Sequence, residues 1–230
     1  MIRHLPCAAL LLLLLGAEPA RAQQEDRQAW EQLNVVVPMT KQVRVTLEQI
    51  ARTSDRQDGI YTTEYGALLG WQVARGVEIG VGYRRVGFHS ANLAPDEDRI
   101  RQQIVFNRGR LAGRFRIDER FSTVGSGIGV RIRPLLRYNF PLGRPRLALF
   151  ASHESFLLPN STSWGQRAGY ERMRNLLGVA VPLGKALNAD IGYLNQYRFG
   201  RGGARPQMDH ALSVQLTVNL GALGVAVLHD

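Results

Sequence analysis

Cysteine and lysine are almost absent from this chain of 230 residues, which contains only Cys7, Lys41 and Lys185. A single cysteine excludes a disulfide framework and a thiolate metal site. Beyond residue 22 no run approaches the roughly 18 consecutive apolar residues of a transmembrane helix, so a helical membrane protein is also excluded. The sequence contains no phosphate-binding loop, metal-ligand cluster or redox motif, and we expect neither a metal nor a cofactor.

The first 22 residues have the pattern of a secretory signal peptide. Arg3 and His4 form a short polar start, residues 7–17 form a leucine-rich apolar run, and residues 20–22 read Ala-Arg-Ala, an A-x-A cleavage site. An apolar run of about 11 residues is too short to cross a bilayer as a helix. We therefore predict a cleaved signal peptide over 1–22 and one exported domain over 23–230.

Positive charge predominates and comes almost entirely from arginine. The formal net charge is +10, with 29 lysine and arginine residues against 19 aspartate and glutamate residues. Nucleic-acid binding is one interpretation of this balance. A signal peptide directs the chain away from nucleic acid, however, and the arginines fall at strand spacing rather than in a cluster, so we expect no nucleic-acid partner.

From residue 28 onward apolar and polar residues alternate with a period of two, which is typical of β-strands. In the segment 61–74 aromatic and apolar side chains occupy one face, and small or polar side chains occupy the other. The pattern predicts twelve strands, near 28–37, 41–52, 61–74, 76–88, 98–107, 110–118, 127–140, 146–157, 170–182, 186–198, 208–220 and 222–229.

The length of these segments and the placement of arginine favour a membrane barrel over a soluble β-sandwich. The segments have about 9 to 14 residues, whereas soluble strands average about 5 to 6, and about 9 to 11 tilted residues cross a bilayer. An arginine facing lipid at midplane costs about 2–4 kcal/mol, and most segments confine arginine to one face. We predict an antiparallel up-and-down transmembrane β-barrel in the bacterial outer membrane. A soluble periplasmic β-protein is an alternative.

The connections between the predicted strands alternate between long and short. Long ones lie at 53–60, 89–97, 119–126, 158–169 and 199–207, and short ones lie near Pro38, Arg75, Asn107, Pro141 and Pro182. Long connections are expected outside the cell and short ones in the periplasm. A chain that starts in the periplasm should make its first short turn after the second strand, but here this turn follows the first. Either the first segment is not a full spanning strand, which with a non-spanning last segment leaves a barrel of ten strands, or loop length does not indicate the side of the membrane.

Several stretches resemble, in order, the domain-of-unknown-function family 2490 of outer-membrane proteins. The matching stretches are Trp30 with the hairpin that ends in VTLEQIAR (45–52), EYGALLGW (64–71), GYRR (82–85), RFRIDERF (114–121), RIRPLLRYNFPL (131–142), SHESF (152–156), RMRNLLGVAVPLG (172–184) and GYLNQYRFG (192–200). The resemblance implies an outer-membrane β-barrel and implies no established activity.

The residues shared with this family pattern are mostly arginine and glutamate on the predicted inner face. One interpretation is a charged channel or an anion-binding lumen. The other, which we favour, is a salt-bridged plug, because barrels of 8 to 12 strands are narrow. The predicted lumen charge network comprises Arg44, Glu48, Arg52, Glu64, Arg84, Arg114, Arg116, Arg131, Arg133, Arg137, Glu154, Arg172 and Arg174.

His153 and Ser155 lie on the predicted lipid-facing side of one strand. Their H-x-S spacing is similar to that of outer-membrane lipid A deacylases, in which a glutamate orients the histidine. Glu154 points to the other face, so Glu171 is the candidate for that role. The alternative is a histidine of the interfacial aromatic girdle beside a small strand residue.

Our preferred hypothesis is a non-enzymatic outer-membrane barrel with a structural, binding or passive-permeation role, and the runner-up is a hydrolase of lipid A or phospholipid. In either case we expect contact with outer-membrane lipid and lipopolysaccharide, and with the barrel-assembly machinery during biogenesis. The sequence contains no signal for an oligomeric state.

Overall fold

Strands account for most of the residues that the computed structural model describes, which are 23–143 and 147–223. The predicted signal peptide lies outside this part of the chain. A 3-10 turn, Leu220–Leu223, follows the last strand. The strands are β1 Gln24–Pro38, β2 Val43–Ser54, β3 Gly59–Ala74, β4 Val77–Phe88, β5 Glu97–Arg108, β6 Leu111–Ser122, β7 Gly129–Pro141, β8 Ala148–Leu158, β9 Gly169–Pro182, β10 Leu187–Arg198 and β11 Gln207–Asn219.

The strands form a closed barrel in which each pairs with its neighbours in sequence. All pairings between consecutive strands are antiparallel. The barrel is closed by β1 and β11, which pair in parallel from Gln24 opposite Gln207 to Val36 opposite Asn219. Closure leaves no unpaired strand edge among the strands of the described residues. The predicted all-β closed barrel is confirmed.

The strand count differs from both predicted numbers. Residues 24–38 form a full strand of 15 residues, so the first segment belongs to the barrel and the alternative of ten strands is wrong. The predicted twelfth segment, 222–229, begins in the 3-10 turn, and its residues from 224 onward lie outside the described chain. Eleven strands close the barrel in the described residues because β11 already pairs with β1.

The connections at one end of the barrel are on average shorter than those at the other. The short-turn end carries the connections 39–42, 75–76, 109–110 and 183–186 and the connection between β7 and β8, of which residues 142, 143 and 147 are described. The long-loop end carries 55–58, 89–96, 123–128, 159–168 and 199–206. Two of the short turns use glycine with positive φ, Gly76 at 75° and Gly109 at 61°, as two-residue hairpins require. An odd number of strands places the start of β1 at the long-loop end and the end of β11 at the opposite end.

The apolar face of each strand points outward and the charged face points into the barrel. On β3, Tyr65, Leu69 and Trp71 are 57%, 47% and 51% exposed, whereas Glu64 is 2% exposed. A soluble protein would show the reverse distribution. At about 3.3 Å per residue, a strand of 12 residues such as β4 is about 40 Å long, and a tilt of about 40° gives a height of about 30 Å. That height equals the thickness of a bilayer hydrocarbon core. No helix in the described residues is long and apolar enough to span a membrane.

Candidate functional site

Two arginines in the lumen each bridge carboxylates from neighbouring strands. Arg84 of β4 donates from Nη1 to Glu64 of β3 (2.6 Å) and from Nη2 to Glu48 of β2 (2.8 Å). Arg133 of β7 makes a second bridge, to Asp118 of β6 (3.3 Å) and Glu154 of β8 (2.9 Å). Each bridge ties three strands together through side chains that are almost fully buried.

Further arginines extend both bridges, so that the carboxylates are shared rather than paired singly. Glu154, for example, also lies 3.7 Å from Arg174 of β9. Shared carboxylates in a site of low dielectric bind strongly to their cations and hold the surrounding strands in register. The additional pairs are Arg52–Glu64 (2.7 Å), Arg101–Glu48 (2.5 Å), Arg131–Asp118 (2.7 Å) and Arg114–Glu154 (2.6 Å).

The loop 159–168 folds over the lumen at the long-loop end. Gln166 is buried, accepts a hydrogen bond from Arg120 of β6 (2.8 Å) and donates to the backbone oxygens of Val130 (3.1 Å) and Asn160 (3.0 Å). Arg120 also pairs with Glu97 of β5 (2.5 Å). The loop therefore contributes a polar cap to the same network.

Aromatic rings separate parts of the network and hold the guanidinium planes. The guanidinium of Arg174 lies 4.6 Å from the ring of Trp30 and 4.6 Å from that of Phe156, and Arg133 also lies 4.6 Å from Phe156. Arg52 lies 4.4 Å from Trp30 on β1. Cation–π contacts of this kind add about 0.5–2 kcal/mol each and fix the direction in which each guanidinium points.

Every residue of the predicted lumen network lies on the inner face, but the residues form separate groups. The first bridge contains Glu48, Arg52, Glu64 and Arg84, and the second contains Arg114, Arg131, Arg133, Glu154 and Arg174. Arg116 hydrogen-bonds to Gln103, and Arg172 pairs with Glu171. Nearer the short-turn end, Arg137 pairs with Asp190, and Arg44 pairs with Glu78.

The sequence prediction missed several charged residues of the lumen. Asp118 and Asp209 are fully buried, and Arg101 is 1% exposed. The alternating pattern of β6 indicates Asp118, because this residue falls on the same face of the strand as Arg114 and Arg116. The residues that take part in the network and were not predicted as its members include Glu78, Glu97, Arg99, Arg101, Asp118, Arg120, Glu171, Asp190, Arg198 and Asp209.

A cavity of about 270 Å³ remains among the lumen side chains, and eleven arginines and four glutamates line it. Its lining therefore has an excess of positive charge. The Nε atoms of Arg52, Arg84, Arg114 and Arg172 are buried and find no hydrogen-bond partner in the described residues. Arg116 is 4% exposed, and its hydrogen bonds from Nε (3.0 Å) and Nη2 (2.6 Å) both go to the neutral amide oxygen of Gln103. Arg116 lies in the lining of the cavity, so its guanidinium group can donate to an anion there.

On the outer face, His153 and Ser155 of β8 form a hydrogen-bonded chain with Asn175 of β9. Nε2 of His153 lies 3.0 Å from Oγ of Ser155, and Nδ1 lies 2.8 Å from Oδ1 of Asn175. The register of β8 and β9 places His153 directly opposite Asn175. Oγ of Ser155 also lies 2.7 Å from the hydroxyl of Tyr170. The imidazole is thus held between a hydroxyl group and an amide oxygen.

The prediction that Glu171 orients His153 is wrong. A register shift between β8 and β9 leaves Glu171 without a pairing partner between Tyr170 and Arg172, as in a β-bulge. Its carboxylate pairs with Arg172 of the lumen network instead. The bulge also places Tyr170 beside Ser155 on the outer face, although strict alternation would assign Tyr170 and Arg172 to the same face.

In the described chain no group of three or more histidine, cysteine, aspartate and glutamate side chains has an arrangement that could hold a metal ion.

Comparisons with known proteins identify the family. A family model described as "Protein of unknown function (DUF2490)" matches residues 27–221, which include nearly all of the barrel. An uncharacterised protein of Methylorubrum extorquens is 30% identical over 229 residues, which cover 95% of this chain and 99% of that protein. A solved chain from the work "Unveiling the Mechanism Behind the in-meso Crystallization of Membrane Proteins" is 12% identical to this one. The match covers 80% of this chain and 79% of that chain, with a TM-score of 0.42. The predicted family is confirmed, and this chain belongs to the DUF2490 family of proteins of unknown function.

Proposed function

We propose that this chain is an outer-membrane β-barrel that binds a small anion in a closed, arginine-lined lumen and catalyses no reaction there. The observation that carries the proposal is the set of buried guanidinium groups around the lumen cavity. Arg116 forms no ion pair with any carboxylate of the described residues, and four of the other arginines that line the cavity, Arg52, Arg84, Arg114 and Arg172, keep an Nε without a partner in that part of the chain. Guanidinium groups bind phosphate and carboxylate through paired hydrogen bonds.

The energetics support an anionic ligand over an empty lumen. A buried donor without an acceptor costs about 1–3 kcal/mol, and more when it is charged. An anion bound among several of the lining guanidinium groups would offset part of the cost of burying their charges and reduce the repulsion among the arginines. The cavity volume of about 270 Å³ lies just below the usual range for ligand pockets, which suits a small anion.

A basic mouth at the long-loop end gives such an anion a route of approach. A cavity of about 420 Å³ there shares Arg120, Arg172 and Arg198 with the lumen cavity. Its outer lining includes Arg167, Arg201 and Arg205 from the loops 159–168 and 199–206. Its six arginines outnumber its two glutamates, Glu97 and Glu171, and a cleft with such an excess of one sign of charge attracts ions of the opposite sign and accelerates their binding.

The membrane assignment is supported by the outer face. A continuous outward array of leucine, isoleucine, valine and aromatic side chains would be unfavourable in water, and its calculated height suits a bilayer. Outer-membrane lipid and lipopolysaccharide are the expected partners of this face. Cell fractionation tests the assignment: the protein should be extracted only with detergent and should show a heat-modifiable gel shift. Release without detergent would favour the soluble periplasmic alternative.

The ion pairs across the lumen argue against passive permeation. Arg101 of β5 pairs with Glu48 of β2, and Arg137 of β7 pairs with Asp190 of β10, so these ion pairs join non-adjacent strands and narrow the lumen below its basic mouth. Single-channel recording in planar bilayers tests this conclusion. We expect no stable open-channel conductance, and a steady ohmic conductance would contradict the closed lumen.

Anion binding is tested by thermal unfolding of the refolded barrel in a non-ionic detergent, with inorganic phosphate as the probe. A ligand that binds only the folded state stabilises it by about 2.7 kcal/mol at 100 times its dissociation constant. We expect the midpoint to rise with phosphate at constant ionic strength. An equal rise with chloride would indicate a general salt effect, and no rise would refute the proposed site.

A further inference from the structure

We propose that the outer face also carries a lipid-acyl esterase centre, in which Ser155 is the nucleophile, His153 the general base and Asn175 a positioning residue. The inference requires only that this face contacts lipid, and it is independent of anion binding in the lumen. It concerns side chains that take no part in the lumen network. A hydroxyl group, an imidazole and an amide oxygen in one hydrogen-bonded chain are the arrangement that activates a serine.

The hydrogen bonds assign a role to each group. With the Nδ1 proton donated to Oδ1 of Asn175, at 2.8 Å, Nε2 of His153 has its lone pair directed at Oγ of Ser155, at 3.0 Å. This tautomer can accept the serine proton. A lone exposed histidine could rotate freely, whereas this imidazole is held from both sides by two neighbouring strands of a rigid barrel.

Tyr170 provides a second, independent observation. The bulge in β9 turns its hydroxyl to 2.7 Å from Oγ of Ser155, and its ring packs edge-on against Phe199 with a centroid distance of 5.0 Å. Bulges are enriched beside active sites, where they redirect one side chain. A hydroxyl at this distance can donate to the oxyanion that forms on the carbon bound to Oγ.

The surroundings indicate a membrane lipid as the substrate. A groove of about 520 Å³ adjoins His153 and Asn175 on the outer face, and its apolar lining includes Leu136, Leu177 and Tyr193. A fatty acyl chain of the surrounding bilayer fits this lining. Tyr170, Tyr197 and Phe199 pack together near the long-loop end. Aromatic residues occupy this position at the level of lipid headgroups, near which the ester bonds of membrane lipids lie.

The reaction requires water as its only co-reactant. Oγ of Ser155 attacks the ester carbonyl carbon while its proton passes to Nε2 of His153. The bond to the alcohol oxygen breaks, and the alcohol leaves with that proton. Water, deprotonated by His153, then cleaves the acyl-serine ester, which releases a fatty acid and restores the serine.

A fluorophosphonate probe tests the nucleophile without knowledge of the natural substrate. Ser155 displaces fluoride and retains the phosphonyl group, which mass spectrometry locates. We expect labelling at Ser155 in the folded wild-type barrel, none in Ser155→Ala, and at least tenfold slower labelling in His153→Ala. The matched control is His89→Ala, since His89 also bonds a hydroxyl, that of Thr63 at 2.7 Å, but lies away from the groove. Labelling that is absent from the folded wild type, or unchanged in His153→Ala, overturns the proposal.

Fatty-acid release identifies the lipid. Vesicles of phosphatidylglycerol form one arm and vesicles with lipopolysaccharide form the other, and release in either arm that Ser155→Ala abolishes supports the esterase. Tyr170→Phe should lower kcat by about 10²–10³-fold with little change in KM, as expected for loss of an oxyanion donor. Release in neither arm by a heat-modifiable, folded protein overturns the assignment to lipid esters, whatever the phosphate titration shows.

The positioning role of Asn175 is tested by labelling rates and pH–rate profiles, which a purely structural role would not change in the same way. Asn175→Leu should slow labelling by at least tenfold, and Asn175→Asp should restore it, because a carboxylate accepts the same Nδ1 proton. The carboxylate also stabilises the protonated imidazole, so the acidic limb of the pH–rate profile should move to higher pH in Asn175→Asp. Equal rates and identical pH profiles in all three proteins would exclude the positioning role.

Discussion

Glu154 supports the second arginine bridge, and the substitution Glu154→Gln tests whether the lumen network stabilises the barrel. Its carboxylate lies 2.6 Å from Arg114, 2.9 Å from Arg133 and 3.7 Å from Arg174, and the residue is 6% exposed. Glutamine preserves the shape of the side chain and removes the charge. Arg114 then has no ion-pair partner in the described residues, and Arg133 retains only Asp118.

The expected loss of stability follows from this geometry. Removing one partner of a buried ion pair costs about 3–5 kcal/mol, because the remaining charge stays buried. We place Glu154→Gln in this range, since its carboxylate serves three buried cations. The matched control is Glu78→Gln, which removes the partner of Arg44 at the short-turn end. The Arg44 side chain is 48% exposed, so water can solvate its guanidinium, and the expected cost is about 0–1 kcal/mol.

Unfolding of the refolded barrel by guanidinium chloride in detergent, followed by tryptophan fluorescence, measures the midpoint of each variant. With a slope of about 4 kcal/mol per molar denaturant, Glu154→Gln should lower the midpoint by about 1 M, and Glu78→Gln by about 0.2 M or less. Equal shifts in the two variants, or a shift below about 0.2 M for Glu154→Gln, would refute the conclusion that this carboxylate stabilises the lumen. The double variant Glu154→Gln with Arg114→Gln should recover part of the loss, because it also removes an uncompensated guanidinium.

Three further predictions concern the cavity, the cap and the strand packing. Arg116→Gln should reduce the stabilisation by phosphate in thermal unfolding, whereas Arg44→Gln, which lies outside the cavity, should preserve it; equal responses would remove Arg116 from the anion site. Gln166→Ala should release the loop 159–168 and speed its cleavage in limited proteolysis, since three of its hydrogen bonds to the loop and to β7 are lost; an unchanged rate would show that the cap is held by other contacts. Gly178→Val should lower the unfolding midpoint, because an added Cβ would lie 2.9 Å from the Cα of Gly192 and 2.9 Å from Cζ of Phe150. An unchanged midpoint would show that β9 can move away from these atoms.

The alternating pattern determined the fold class and the direction in which most side chains point. A strand has a period of two whatever its partners are, so Arg114 and Arg116 share a face in sequence and in space. An arginine that faces hydrocarbon costs free energy, so the alternating pattern predicts that the face with Arg114 and Arg116 is turned to the lumen. His153 and Ser155 were placed on the outer face by the same argument.

Only the tertiary structure determined which residues meet. The parallel pairing of β1 with β11 sets the strand number at eleven, and no local pattern encodes which two strands close a barrel. The partner of His153 is Asn175, because the register of β8 and β9 places these residues opposite each other across a long loop. The bulge at Glu171 reverses the alternation locally, so Tyr170 lies outside beside Ser155 while Glu171 joins the lumen network. Register and bulges depend on the pairing of whole strands, and this is why local sequence patterns could not specify them.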